Sequence, residues 1–287
     1  MQLIQQKPIV ERSIGAILVD HGRLTAIDAE KVLREQKVSK LRFGDAGIKL
    51  GLLSANDVAF ALARQFDYPY LGPDDQSISE EVIAAFRPFS PAVEQLRALR
   101  TQLMLRWFNG DPTRRSLAVV SPAGGDGRSF VAANLAVVFS QLGERTLLID
   151  ADLRAPRQHQ LFKIDNGVGL SAVLSGRVNP LAAVHKVVAL LDLSVLPAGA
   201  MPPNPQELLA RDTFSNVLAQ YGESYDVIVV DTPSAAKSAD AQTVAARTGA
   251  AMIVARNHTT PLSAMQGLVT KLQNSNVAVV GSLLNAI

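Results

Sequence analysis

The residues Ser121-Pro-Ala-Gly-Gly-Asp-Gly-Arg-Ser129 bring three glycines, a carboxylate, a guanidinium and a hydroxyl together between two apolar runs. Leu117–Val120 ahead of them is short and β-branched, and Phe130–Phe139 behind them is apolar at helical spacing, so the nine residues join a strand to a helix. Such a junction presents backbone N–H groups and the positive helix end to a phosphate. Gly124, Gly125 and Gly127 permit dihedrals that a Cβ forbids and let the backbone approach phosphate oxygens. Gly124, Gly125, Asp126, Gly127, Arg128, Ser129 and Phe130 are therefore the expected nucleotide cradle, with the Ser129 hydroxyl on Mg²⁺. Arg128 stands where such loops usually carry lysine. It keeps the charge and can bind phosphate bidentately, but it is bulkier and differently directed.

Two further segments supply carboxylates. Thr146-Leu-Leu-Ile-Asp-Ala-Asp-Leu-Arg154 and Asp226-Val-Ile-Val-Val-Asp-Thr-Pro233 are apolar strands that end in acids. In a parallel sheet, C-terminal strand ends line the same crevice as the phosphate loop. Asp150, Asp152 and Asp231 are thus expected to converge there, with Asp150 and Asp231 joining Ser129 around the metal. One strand-terminal aspartate is usually a cap or turn residue; three behind a glycine-rich loop are harder to explain that way.

The elements that must position these residues follow from pattern and composition. With 287 residues and 48% hydrophobic content, the chain has room for two domains. Strands expected near 117–121, 146–150, 193–196, 226–231, 251–255 and 277–283 alternate with helical stretches. The implied architecture is α/β, a doubly wound and mostly parallel sheet over 91–287. A helix from about Pro91 to Phe108 precedes it, and residues 73–90, with their prolines and acidic pairs, read as a linker with one short helix at 79–86. Residues 1–72 read as a small all-α domain. There Ile14-Gly15, Gly22, Leu24-Thr-Ala26, Asp28, Leu33 and Gln36 recur 29 residues later as Phe43-Gly44, Gly51, Leu53-Ser-Ala55, Asp57, Leu62 and Gln65. Thr25 and Ser54 are expected N-caps with capping-box acids at Asp28 and Asp57.

Charge and composition narrow the partners. Net charge is +2, from 28 basic and 26 acidic residues without a basic block, which gives nucleic acid or direct membrane-surface binding no support. The absence of cysteine fits a cytosolic setting. No run approaches the roughly 18 apolar residues of a span, and no signal-peptide pattern opens the chain. Any membrane role is therefore expected to run through a partner.

With these motifs in hand, residues 90–285 resemble the cytoplasmic bacterial tyrosine kinases of polysaccharide export, relatives of the MinD/ParA-type P-loop ATPases. The likeness rests on the phosphate loop, Asp150-Ala-Asp-Leu-Arg154, Asp231-Thr-Pro233, Pro202-Pro-Asn-Pro-Gln-Glu-Leu-Leu209 and Glu94-x-x-Arg97-x-x-Arg100. It narrows to the chain-length-determinant kinases of exopolysaccharide loci. The resemblance implies ATP and Mg²⁺ as cofactors and Asn204 and Pro205 beside the nucleotide. It implies that Arg128 offsets the charge of the transferred phosphate and that Asp152 is the base for the tyrosine proton. It also implies a ring of subunits docked through Glu94, Arg97 and Arg100, and a cytoplasmic location held at the inner membrane by an integral-membrane co-polymerase. That family usually carries a C-terminal tyrosine cluster. Here only Tyr68, Tyr70, Tyr221 and Tyr225 occur, so the expectation is a truncated chain or a phosphoacceptor elsewhere. Two alternatives stay open. One is a MinD/ParA-like ATPase switch, whose signature lysine is Ala123 here; the other is a catalytically weak nucleotide-binding regulator of the co-polymerase.

The 13–65 repeat resembles the MshE-type N-terminal domain of type II secretion ATPases. In some members that domain binds cyclic di-GMP, which implies Arg42, Gly44 and Gly51 as ligand contacts. Ser13 replaces the first-copy arginine, and a docking or structural role is the alternative.

Overall fold

The computed structural model describes residues 13–65, 71–72 and 75–286. Tyr68 and Tyr70 lie outside the described residues. Cα packing divides the chain into two units, Met1–Gly72 and Pro73–Ile287.

The first unit is four helices: α1 (Ile14–Asp20), α2 (Ala26–Ser39), α3 (Phe43–Lys49) and α4 (Ala55–Gln65). Each repeat is a short helix, a glycine turn and a longer helix, as the sequence predicts. Gly22 and Gly51 sit in those turns at φ 67° and 68°, a left-handed conformation that costs glycine least. Ser54 Oγ accepts from Asp57 N at 3.2 Å while Asp57 Oδ2 accepts from Ser54 N at 3.0 Å, closing the expected capping box. Packing is crossed between the copies, α1 chiefly on α4 and α2 on α3. Ion pairs cross in the same way, Arg23 to Asp57 at 2.9 Å and Lys49 to Glu35 at 2.7 Å. The core of Ile17, Leu18, Leu24, Leu53, Phe60 and Ala61 takes residues from both copies, so neither copy can bury its apolar face alone.

The second unit contains α5 (Ile83–Phe86), α6 (Pro91–Arg106), β1 (Ser116–Val120), α7 (Arg128–Ser140), β2 (Thr146–Asp150), α8 (Gln158–Leu161) and α9 (Leu170–Leu174). It continues with β3 (His185–Lys186), β4 (Leu193–Leu196), α10 (Pro205–Ala210), α11 (Asp212–Ser224), β5 (Val227–Asp231), α12 (Asp240–Thr248), β6 (Ala250–Arg256), α13 (Leu262–Asn274) and β7 (Ala278–Asn285). The seven strands order as β3-β4-β2-β5-β1-β6-β7. All pairs are parallel except β3 with β4. The doubly wound sheet is as expected, and β3 is the strand that sequence reading misses. Two residues without an apolar run carry no strand signal; β3 exists because Val195 and Ser194 offer an edge to pair with.

Residues 75–90 contain the expected short helix, as α5, but they are packed against the sheet unit and are not an open linker. Ile78, Val82, Ala84, Ala85 and Phe86 are buried, and α5 packs on α7. Ala84 N donates to Asn134 Oδ1 at 2.8 Å, Gln141 Nε2 donates to Ala84 O at 3.0 Å, and Ser79 N donates to Leu161 O at 2.8 Å. α7 is apolar on nearly all sides, so its outer face needs a cover. The short helix supplies that cover, a role the segment's prolines and acidic pairs do not signal.

Candidate functional site

β1, β2 and β5 are buried along their whole length, so their C-terminal ends are fixed at the centre of the sheet. The loop from Ser121 to Gly127 leaves β1 and enters α7, as its flanking runs predict. Gly125 at φ 83° and Gly127 at φ 93° take the left-handed turns that make the loop possible.

Two loop side chains do something other than expected. Asp126 is 1% exposed, and its Oδ2 accepts from Ala123 N at 2.9 Å while Oδ1 accepts from Thr260 Oγ1 at 2.8 Å. The carboxylate braces the loop instead of facing a ligand, which leaves the backbone N–H of Asp126 for any nucleotide contact. Arg128 is also turned inward. Its Nε donates to Thr232 O at 2.8 Å, and its Nη1 donates to Ala123 O at 3.0 Å and to Ser121 Oγ. A guanidinium has five donors in a fixed fork, and two carbonyls and one hydroxyl accept three bonds from it here. The expected free phosphate cation is therefore a tie between the two ends of the loop and the end of β5.

The carboxylates meet as expected. Asp150 and Asp231 are paired neighbours in the β2–β5 register, and both are fully buried. Asp150 accepts from the N–H groups of Asp152 (3.1 Å), Arg157 (2.9 Å) and Gln158 (2.9 Å). Burial, and then the Asp231 charge beside it, push the Asp150 carboxyl well above its ordinary range. Burial raises Asp231 as well, against the pull of the Arg128 guanidinium and of the Ser129 and Gln158 side chains. Asp231 Oδ2 accepts from Gln158 Nε2 at 2.7 Å, whereas its Oδ1 is buried without a partner. Two buried acids with one orphaned oxygen fit a divalent cation that neutralises both. Among the described residues no cluster of three or more His, Cys, Asp and Glu side chains forms a complete cage.

Gln158 is the site residue that sequence reading passes over. It is fully buried, and its amide bridges Asp231 and the Ser129 carbonyl (3.1 Å) while its N–H serves Asp150. No motif marks it; its place comes from the return of the chain after Asp152. Asp152 is 8% exposed, and its Oδ1 accepts from Arg154 N (3.2 Å) and Ala155 N (2.9 Å) in a local turn.

The other expected residues make contacts of their own. Asn204 caps α10 and gives its Nδ2 to Glu207 Oε2 at 2.7 Å, and Pro205 is the buried first residue of that helix. Asn204 lines a cavity of about 440 Å³ with Ser171, Arg177, Leu208 and Arg211; no residue of the 121–129 loop lines it. On α6, Glu94 and Arg97 pair at 3.0 Å. Arg100 turns inward and donates to Val138 O of α7 at 2.8 Å, which takes it out of the expected stripe. Tyr221 is fully buried, its hydroxyl on Pro180 O at 2.7 Å, and burial drives its phenol strongly upward.

In the helical unit, Arg42 and Gly51 are exposed but Gly44 is buried against Val58, where an added Cβ would lie 2.6 Å from Cγ1. Gly44 is therefore a helix-packing glycine, which corrects its role as a ligand contact. The unit's groove of about 590 Å³, bounded by Gly15, Ala29, Leu33, Gln36, Phe43 and Gln65, has no Lys or Arg among the described residues of its lining.

Comparison with known proteins places this geometry. Residues 113–286 match the ParA family model described as "NUBPL iron-transfer P-loop NTPase". Tyrosine-protein kinase wzc of Salmonella typhimurium is 34% identical over 207 residues, 72% of this chain and 28% of that protein. A Staphylococcus aureus protein provisionally named tyrosine-protein kinase CapB is 33% identical over 202 residues, 69% of this chain and 86% of the relative. The kinase domain of Escherichia coli tyrosine kinase ETK superposes with a TM-score of 0.68 at 32% identity, covering 72% of this chain and 80% of that one. The chain thus spans under a third of the wzc relative's length and most of the CapB relative's.

Proposed function

The chain belongs to the ParA-type P-loop NTPases and, within them, to the bacterial tyrosine-protein kinases, and on that premise we propose that it transfers a phosphoryl group from Mg–ATP to tyrosine. The observation that carries this reading is the buried Asp150–Asp231 pair, with its orphaned Oδ1, at the strand ends beside a glycine-rich loop. Mg–ATP supplies the transferable phosphoryl group and a cation that offsets its charge. The protein's part is positioning and electrostatics. Loop N–H groups from 124 to 129 hold phosphate oxygens. Ser129, Asp150 and Asp231 hold the metal or its waters, Gln158 fixes the Asp231 carboxylate, and Asp152 takes the tyrosine proton.

The substrate and setting belong to the same proposal. Relatives carry names such as EpsB and "in cps region". We read this chain as a regulator of exopolysaccharide chain length or export, working with an integral-membrane co-polymerase and as a homo-oligomeric ring. No described helix is long and apolar enough to cross a membrane, so such a partner would hold it there. Tyr221 is excluded as a phosphoacceptor by its burial. Residues 1–72 are read as an MshE-like two-repeat docking module. Titration of the full chain with cyclic di-GMP tests that reading, and saturable binding would replace it.

Arg128 favours one alternative. Because its guanidinium is tied to Ser121, Ala123 and Thr232, a weak kinase that acts as a nucleotide-dependent regulator is the second reading. Incubation with Mg–ATP and a candidate membrane activator, followed by phosphotyrosine mass spectrometry, separates the two. Phosphotyrosine that disappears in Asp150→Ala supports the kinase. Tight nucleotide binding without phosphotyrosine supports the regulator.

A further inference from the structure

β7 is an edge strand, and of its residues only Asn285 is buried. A polar residue in that one buried place calls for a partner. Asn285 Nδ2 donates to the Asp126 carbonyl at 3.1 Å, and the Asn285 carbonyl accepts from Asn257 N at 2.8 Å. Thr260, between β6 and α13, approaches the same residue from the side-chain end. Its hydroxyl donates to Asp126 Oδ1 at 2.8 Å and accepts from Arg256 N at 2.8 Å. Asp126 is thus gripped at its carbonyl and at its carboxylate by two segments that follow it by more than 130 residues. Its remaining oxygen meanwhile holds Ala123 N across the loop.

The consequence lies in the next peptide. The Asp126–Gly127 bond is trans, so its carbonyl and its N–H point in opposite directions. Fixing the carbonyl toward Asn285 fixes the Gly127 N–H away from it. Glycine offers little resistance to rotation of that peptide, so without an anchor both orientations are open. The close approach also explains why residue 127 has no side chain: a Cβ there would overlap the Asn285 amide.

We propose that Asn285 and Thr260 are positioning residues for the phosphate loop. They clamp Asp126 so that the Gly127 N–H is preset for a phosphate oxygen before the nucleotide arrives, an inference that rests on the reading of 121–129 as a phosphate site. Preorganised donors bind without paying to reorient at the moment of binding.

The test is calorimetric titration of the full chain with Mg–ADP, with thermal unfolding measured in parallel. Thr260→Val keeps shape and removes the hydroxyl donor, and Thr260→Ser keeps the hydroxyl; Asn285→Asp keeps shape, replaces the amide donors with carboxylate oxygens and adds a negative charge. Wild type should bind, Asn285→Asp and Thr260→Val should each weaken binding about fivefold, and Thr260→Ser should restore wild-type affinity. A merely structural role would lower the melting temperature and leave affinity unchanged. If Asn285→Asp does not fold, Thr260→Val against Thr260→Ser decides alone. Wild-type affinity in the variants overturns the clamp. Failure of the wild type to bind Mg–ADP overturns the phosphate-site reading, and the clamp with it.

Discussion

In the helical unit the charged groups sit near the surface and satisfy one another: Arg23 with Asp57, Lys49 with Glu35, Ser54 with Asp57. In the sheet unit Asp150, Asp231, Gln158 and Asp126 are taken out of water altogether, two like-charged acids side by side, with atoms of Asp231 and Gln158 left without partners. The first arrangement only stabilises a fold. The second is unfavourable for the protein alone and makes sense if something else completes it. Where a chain tolerates buried, like-charged and incompletely bonded groups, it is holding a site, and the stability comes from elsewhere, here from β-branched central strands and the nearly all-apolar α7.

The sharpest way to break this contrast is to neutralise the acids. Asp231→Asn and Asp150→Asn should each reduce phosphotransfer by at least about a hundredfold, and Asp231→Asn should also raise the melting temperature, because it removes buried like-charge repulsion and keeps an oxygen for Gln158. A fall in both together would mean that the pair is a structural device. Next, Arg128→Ala should weaken Mg–ADP about tenfold in calorimetry, since three bonds that shape the loop are lost. Arg128→Lys should recover only part of this, because an ammonium restores charge beside Asp231 but cannot span Thr232, Ala123 and Ser121.

Smaller effects are expected away from the crevice. Arg100→Ala should lower the melting temperature by about 2–4 °C, the loss of one hydrogen bond worth about 1 kcal/mol to the last turn of α7. Glu94→Ala should barely move it. If light scattering shows a mass change for Glu94→Ala or Arg97→Ala but none for Arg100→Ala, the exposed part of α6 is the oligomer face. Smallest is the acid response of the helical unit. Burial tends to raise Asp57, but its bonds from Ser54 and Arg23 outweigh this and lower it. A carboxylate lowered by folding stabilises above its unfolded pKa and loses that contribution as pH falls through the folded value. Helical circular dichroism should therefore weaken on acidification below about pH 4, and Asp57→Asn should flatten that part of the profile.

The sheet, its strand ends and the phosphate loop were legible in the sequence because they depend on local signals: continuous β-branched runs, glycines at a strand–helix junction, and acids at the last position of two strands. The two-copy helical unit was equally legible, since its repeat, caps and glycine turns lie within a few residues of one another. What only tertiary structure decided is where polar side chains point and what covers an apolar face. Arg128 and Asp126 look like ligand groups in a motif, yet both are drawn to partners at Thr232 and Thr260, more than 100 residues away. Gln158 and Asn285 carry no periodic or motif signal, and the packing of α5 on α7 carries none either, because these roles come from acceptors and apolar surface supplied by distant elements. Hydrophobic pattern and backbone freedom are properties of neighbours along the chain. The satisfaction of a buried donor or acceptor is a property of neighbours in space, and the fold alone chooses those.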